Sequence, residues 1–164
     1  MSNPITGRET DIDTKQAVGA LAEFYLAFNS RSFELMELNW IDSNDASMES
    51  PLGGSQGGWP AISKLYGRLF RGKATVTAEL HDYSIYCVGE TFLAVGYERG
   101  RYTRDNIDLK YGIRTSRWFT RVYERYRQFH YHGSIDDANL LARYQSAFFS
   151  EPDPNIVTVD SISL

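Results

Sequence analysis

Between Ala74 and Ser134 the chain carries four long segments of alternating apolar and polar residues, joined by connections too short for anything but a reversal of direction. The segments are Ala74–Val88, Thr91–Arg104, Ile107–Tyr123 and Arg125–Ser134, and Gly89-Glu90, Asp105-Asn106 and Glu124 mark the turns. Connections this short join antiparallel neighbours, because a parallel crossover needs a dozen residues or more. The four segments therefore predict a meander. Strands of this length must twist and curl, and a curled sheet needs a cover that the rest of the chain has to supply.

Helical patterns flank the meander. Asp13 can cap a helix, with Gln16 three residues on, and Val18, Leu21, Ala22, Tyr25 and Phe28 then share one stripe. Asn29-Ser30 ends that helix, and Ser32 starts a short second one with Phe33, Met36 and Trp40 on its apolar side. Ala46–Ser50 reads as a short strand stopped by Pro51. Trp59-Pro60 opens a third helix with proline in its first turn. Ile62, Leu65, Tyr66 and Leu69 form its buried side, Arg68 and Arg71 suit its C-terminal dipole, and Gly72 suits the position just beyond. Ser134 followed by Asp137 caps a last helix bearing Leu140, Leu141, Tyr144 and Phe148. The expected fold class is α+β: a curved antiparallel sheet wrapped on N-terminal helices, with a C-terminal helix, leaving a cone whose wide end can hold a ligand. Residues 1–12 are expected as a flexible tail, 13–149 as one domain and 150–164 as a C-terminal tail. Within the last, Ile156-Val157-Thr158-Val159 reads as tail or as an added edge segment.

Composition narrows the function classes. At 164 residues and 42% hydrophobic, the chain can bury a real core. A net charge of −4 argues against nucleic acid as partner, since phosphate binding needs a basic surface. No apolar run approaches a membrane span, and the N-terminus lacks a signal peptide's apolar stretch. The lone Cys87 rules out an internal disulfide and suits a reducing, cytoplasmic setting. Leu52–Gly58 is dense in glycine, but it lacks the Lys-Ser/Thr ending of a phosphate loop and reads as a flexible connection.

The order of elements resembles the nuclear transport factor 2-like superfamily. That group includes ketosteroid isomerase, SnoaL-like polyketide cyclases, scytalone dehydratase and the association domain of calcium/calmodulin-dependent kinase. The resemblance rests on Phe24–Asn29, Asp45–Gly53, the Trp59–Leu69 helix and the meander ending in His130-Tyr131-His132-Gly133-Ser134, and it covers residues 14–148. It implies a cystatin-like cone. It also implies that Ser50, Phe24 and a position near Ser116 stand where ketosteroid isomerase has its base aspartate, its tyrosine and its protonated aspartate. Serine cannot act as a carboxylate base and phenylalanine cannot donate a hydrogen bond, so steroid isomerisation by that route is not expected. By the same comparison the cavity is lined by Leu93, Val95, Tyr97 and Arg99, by Arg114, Ser116 and Trp118, and by Gln128, His130 and His132. Family analogy adds a homodimer through the outer face of the sheet, covering Phe92, Ile113 and Phe119.

Alternation places Gln128, His130 and His132 on one face of the last strand. Two histidines there can serve as base and acid for an isomerase, cyclase or dehydratase step, or they are satisfied by neighbours and only hold the sheet together. A His-x-His strand can also present two nitrogens to zinc, but the obvious positions offer no third ligand, and no metal or cofactor is expected. Arg114 either stabilises charge in the cavity, favouring a carboxylate or phenolate, or pairs with Glu98, Asp108 or Glu79. Arg99, Arg101, Arg104, Arg117, Arg121, Arg125 and Arg127 are expected in cross-strand pairs and on a solvated or dimer face. The candidate catalytic set is His130, His132 and Arg114, and the candidate ligand-binding set is Ser50, Tyr97, Arg99, Ser116, Trp118 and Gln128. The expected function is binding of a small, partly apolar, neutral or anionic organic molecule in the cone, with a cofactor-free proton-transfer step in the enzyme version. A non-catalytic binding or oligomerisation module is the alternative.

Overall fold

A computed structural model describes residues 2–150 of the chain. In order, its elements are α1 (Ala17–Ser30), α2 (Phe33–Asn39), β1 (Ser47–Glu49), β2 (Gln56–Gly57), α3 (Trp59–Arg71), β3 (Thr75–Val88), β4 (Thr91–Arg104), β5 (Ile107–Val122), β6 (Arg125–Ser134) and α4 (Ala138–Phe149). The strands form one open sheet in the order β2-β1-β6-β5-β4-β3. The meander β3 to β6 is antiparallel throughout, as the short turns require. The first strand, β1, joins it parallel to β6, with Ser47 opposite His130 and Glu49 opposite His132. Part of the glycine-rich stretch expected as a plain connection pairs with β1 as β2.

Two irregularities bend the sheet. In β3 the register with β4 shifts between His81 and Ser84, where Asp82 takes a left-handed φ of 47°. In β6, Trp118 faces His130 while Phe119 faces Gln128, so Phe129 is an extra residue. Bulges of this kind tighten twist and bend the strand that carries them. The curled inner face receives the helices. Ser32 caps α2 by accepting from Leu35 N at 3.2 Å, and Asp137 caps α4 by accepting from Leu140 N at 2.6 Å.

The core has two parts. One lies under α1 to α3 and contains Leu21, Phe24, Tyr25, Trp40, Trp59, Tyr66, Phe92, Phe119 and Tyr131. The other joins the far end of the sheet to α4 through Val76, Tyr102, Leu109, Tyr111, Ile113, Tyr144 and Ala147. Inner-face residues at Gly100 and Gly133 approach their neighbours closely. A Cβ at Gly100 would collide with the Tyr111 ring, and one at Gly133 with the Tyr131 hydroxyl.

Two expectations need correction. Phe92, Ile113 and Phe119 belong to the buried inner face, not to an outer dimer face, because the apolar row of each strand turns toward the helices. The first residues are not all a loose tail: Ile5 is buried and exchanges backbone hydrogen bonds with Leu80, each at 2.9 Å. Asn29 adds a clamp, donating from Nδ2 to the carbonyls of Thr6 and Ala78. This segment covers part of the β3 edge, which would otherwise present unpaired backbone groups. The Ile156–Val159 segment lies outside the described residues.

Candidate functional site

A cavity of about 310 Å³ lies at the seam between the two parts of the core. Its walls are mostly apolar and aromatic: Phe24 and Phe28 from α1, Leu65 and Tyr66 from α3, Tyr111 and Ile113 from β5, Tyr144 and Phe148 from α4. Ser50, Gly53 and Gln56 from the β1–β2 region, Arg68 from α3 and the exposed Phe149 mark its open end. The Gln145 side chain donates to Pro51 O at 3.0 Å and ties α4 to that rim.

Apart from Arg68 at the open end, charge enters this apolar space, among the described residues, as one pair. Glu98 on β4 and Arg117 on β5 both border the cavity and are 4% and 2% exposed. They are not cross-strand partners, since Glu98 faces Ile113 and Arg117 faces Ala94. Their long side chains close the offset, and Arg117 Nη2 donates to Glu98 Oε1 at 2.5 Å. Tyr25 Oη donates to the same oxygen at 2.8 Å, and Tyr131 Oη donates to Glu98 Oε2 at 3.1 Å. Arg117 Nη1 donates to Gln128 Oε1 at 2.8 Å. The guanidinium also lies over the rings of Phe24 and Tyr131, 3.7 and 4.2 Å from their centroids, a favourable placement for a desolvated cation.

A buried ion pair survives only when hydrogen bonds replace the lost water, and this one has them. Burial, followed by the negative charge of Glu98, pushes the Tyr25 and Tyr131 hydroxyls well above the ordinary tyrosine range, so both remain donors. Burial raises Tyr66 as well, against the opposing effect of Arg117. Burial opposes the charge of Arg117, but Glu98 and the surrounding tyrosine oxygens outweigh it and raise its pKa further.

The expected site residues divide between the two sides of the sheet. Ser50 lines the cavity. Gln128 is wholly buried on the inner side behind Arg117, without bordering the cavity. None of Tyr97, Arg99, Arg114, Ser116, Trp118, His130 and His132 lines it, and their alternation with the buried row places them on the outer face. The extra residue Phe129 explains why Gln128 and His130, expected on one face, lie on opposite ones. His130 Nδ1 is 2.7 Å from Ser47 Oγ and 3.6 Å from Glu49 Oε2. Both partners meet the same ring nitrogen, so this is not the relay of a serine–histidine–acid triad, which needs the acid on the other nitrogen. Arg99 pairs with Asp82 at 2.7 Å. Arg114 is exposed, and the carboxylates suggested for it pair elsewhere: Glu98 with Arg117, Asp108 with Arg101, Glu79 with Arg8. Among the described residues no three His, Cys, Asp or Glu side chains gather as a metal site.

Glu98, Arg117, Tyr25, Tyr66 and Tyr131 were not among the expected site residues. A signal for the charged pair exists. Phe92, Ala94, Glu98 and Tyr102 share one parity on β4, and Leu109, Tyr111, Ile113, Arg117 and Phe119 share one on β5. Within Phe92–Tyr102 and Leu109–Phe119 each inner row contains a single charge, and the two charges are opposite.

Residues 18–138 match the SnoaL-like domain. Solved structures share the fold. An NTF2-like family protein from Streptomyces avermitilis, described as a candidate dehydratase, is 19% identical over 79% of this chain and 100% of its own, with a TM-score of 0.69. An NTF2-like superfamily protein from Salmonella enterica is 19% identical over 76% of this chain and 94% of its own, with a TM-score of 0.66. The S. rosetta CaMKII hub is 14% identical over 77% of this chain and 98% of its own, with a TM-score of 0.61. At these identities the likeness is one of fold. No curated protein matches the sequence.

Proposed function

The chain belongs to the SnoaL-like domain family, and on that footing we propose that its cone binds a small, largely apolar organic molecule. The observation that carries this reading is the 310 Å³ aromatic cavity with one internally neutralised ion pair at its wall. Cavities of this size and lining, with few polar groups, suit small ligands. At the buried end the cation is Arg117 and its charge is met by Glu98, so a ligand group held there needs no charge of its own; Arg68 stands at the open end. Acid–base chemistry by His130, His132 and Arg114 is not part of this reading, because none of them borders the cavity. The cavity's own carboxylate, Glu98, already accepts from Tyr25, Tyr131 and Arg117, which favours a binding role.

The test is titration with the neutral dye N-phenyl-1-naphthylamine, whose fluorescence rises in apolar surroundings. Saturable binding of one dye per chain is expected. Ser50→Trp at the rim should abolish it, and His130→Gln with His132→Gln should leave it intact. Equal binding by the Ser50→Trp variant would remove the cone as the site.

A second reading has its own observation. On the outer face Tyr86, Leu93 and Trp118 stand side by side in register, with Val95 and Tyr97 adjacent, and Tyr86 and Tyr97 are 56% and 38% exposed. Half-exposed aromatic strips are typical interface anchors, and fold relatives include CaMKII hub domains. We assign this strip to self-association as a homodimer. Light scattering should show a dimer that Trp118→Glu converts to a monomer.

A further inference from the structure

We infer that the cone selects its ligand by an uncharged carbonyl-type oxygen at the buried end, received by Arg117 and Tyr66. This rests on the reading that the cone binds a small molecule.

At the cavity wall the donors exceed the acceptors that meet them. The hydroxyl hydrogens of Tyr25 and Tyr131 are spent on Glu98. Arg117 spends Nη2 on Glu98 and Nη1 on Gln128. Its Nε–H is buried without an acceptor, and so is the Gln128 amide nitrogen beside it. Arg125 and Arg127 also bury an unpaired Nε–H, but neither borders the cavity, whereas Arg117 does. A buried donor without an acceptor is costly, and native proteins rarely keep one without a reason. The wall is therefore rich in donors, and an acceptor on the ligand would complete it. Tyr66 borders the same space, with Arg117 and Trp40 beside its hydroxyl, and burial keeps it protonated. It is a second group able to donate.

Charge then narrows the acceptor. Arg117 is already matched by Glu98. A carboxylate ligand would place a second negative charge near Glu98 in a low-dielectric space, which is unfavourable. An ammonium group would bring donors to a wall that has them in excess. A ketone, ester or amide oxygen meets both conditions. Glu98 is then a positioning residue: it holds the guanidinium in place and takes no proton from the ligand.

The test compares 2-acetylnaphthalene with its hydrocarbon analogue 2-isopropylnaphthalene and with 2-naphthoate, by calorimetry and dye displacement on the full chain. One charge-assisted hydrogen bond predicts that the ketone binds roughly tenfold tighter than the hydrocarbon, and tighter than the naphthoate. Tyr66→Phe, which removes a single oxygen, should lower the ketone's advantage over the hydrocarbon several-fold. The carbonyl stretch of the bound ketone should move to lower frequency in the wild-type protein and recover part of that shift in Tyr66→Phe. Equal binding of ketone and hydrocarbon would overturn the inference while leaving the cone as a binding site, as would tighter binding of the naphthoate. Failure of all three compounds and of the dye would instead overturn the cone reading and this inference with it.

Discussion

The two faces of the sheet use polar groups in opposite ways. On the inner face Glu98, Arg117, Gln128 and Tyr131, with Tyr25 from α1, are buried and bonded mainly to one another. On the outer face Arg99–Asp82 and Arg101–Asp108 are exposed pairs in water, where screening and side-chain entropy leave such contacts worth little. Arg101 lowers the pKa of Asp108 through its hydrogen bond, yet both side chains are more than half exposed. The same residue types thus define a site on one face and a solvated surface on the other. Chemical character alone does not identify a site; removal from water does.

Alkaline pH should break the comparison most strongly. Tyr25, Tyr66, Tyr111, Tyr131 and Tyr144 are raised above the ordinary tyrosine value, burial being the largest cause for each. The folded chain keeps these protons where the unfolded chain begins to lose them, near pH 10. Stability should be untouched by them below that pH and fall above it, by about 1.4 kcal/mol per pH unit for each such tyrosine. Urea unfolding at pH 9, 10 and 11 would show it, and a flat profile would mean that these hydroxyls reach water.

Breaking the inner pair comes next. Arg117→Met should cost roughly 3–5 kcal/mol by leaving Glu98 buried and unpaired. The double change Arg117→Met with Glu98→Leu should recover much of that loss. Arg101→Met on the outer face should leave the urea midpoint unchanged within error.

Glycines offer a smaller contrast. Gly133→Ala puts a Cβ against the hydroxyl with which Tyr131 holds Glu98, and should cost about 1–3 kcal/mol as overpacking. Gly112→Ala, with nothing within 4 Å of the added carbon, should cost far less. Thermal unfolding of the two variants side by side measures the difference. The smallest effect is expected from His130→Gln with His132→Gln, within about 0.5 kcal/mol in urea unfolding, as for most surface changes.

The strands were legible because their turns are short and their alternation long. Thr91–Arg104 and Arg125–Ser134 fall where the sequence places them, and Asp137 caps the last helix as expected. The faces were harder. In β5 the row Leu109, Tyr111, Ile113 and Phe119 already carries the core signal. The family comparison instead implies the opposite row, Arg114, Ser116 and Trp118, as cavity. The extra residue at Phe129 then reverses parity within β6, and nothing in Arg127–His130 announces a bulge. The Glu98–Arg117 pair depends on strand register and on side chains long enough to cross an offset, which spacing along one strand does not encode. Ile5 carries no such signal, because a single apolar residue in a polar segment has no period to detect.

The position of the cavity at the seam of two cores has a mechanical meaning. Phe24 and Tyr131 belong to one side, Tyr111 and Tyr144 to the other. An occupant touching all four would act as mortar between two blocks that otherwise meet along a gap. Occupancy would then register less as movement than as shared fate, with α4 and α1 exchanging their amide hydrogens at more nearly equal rates once the seam is filled.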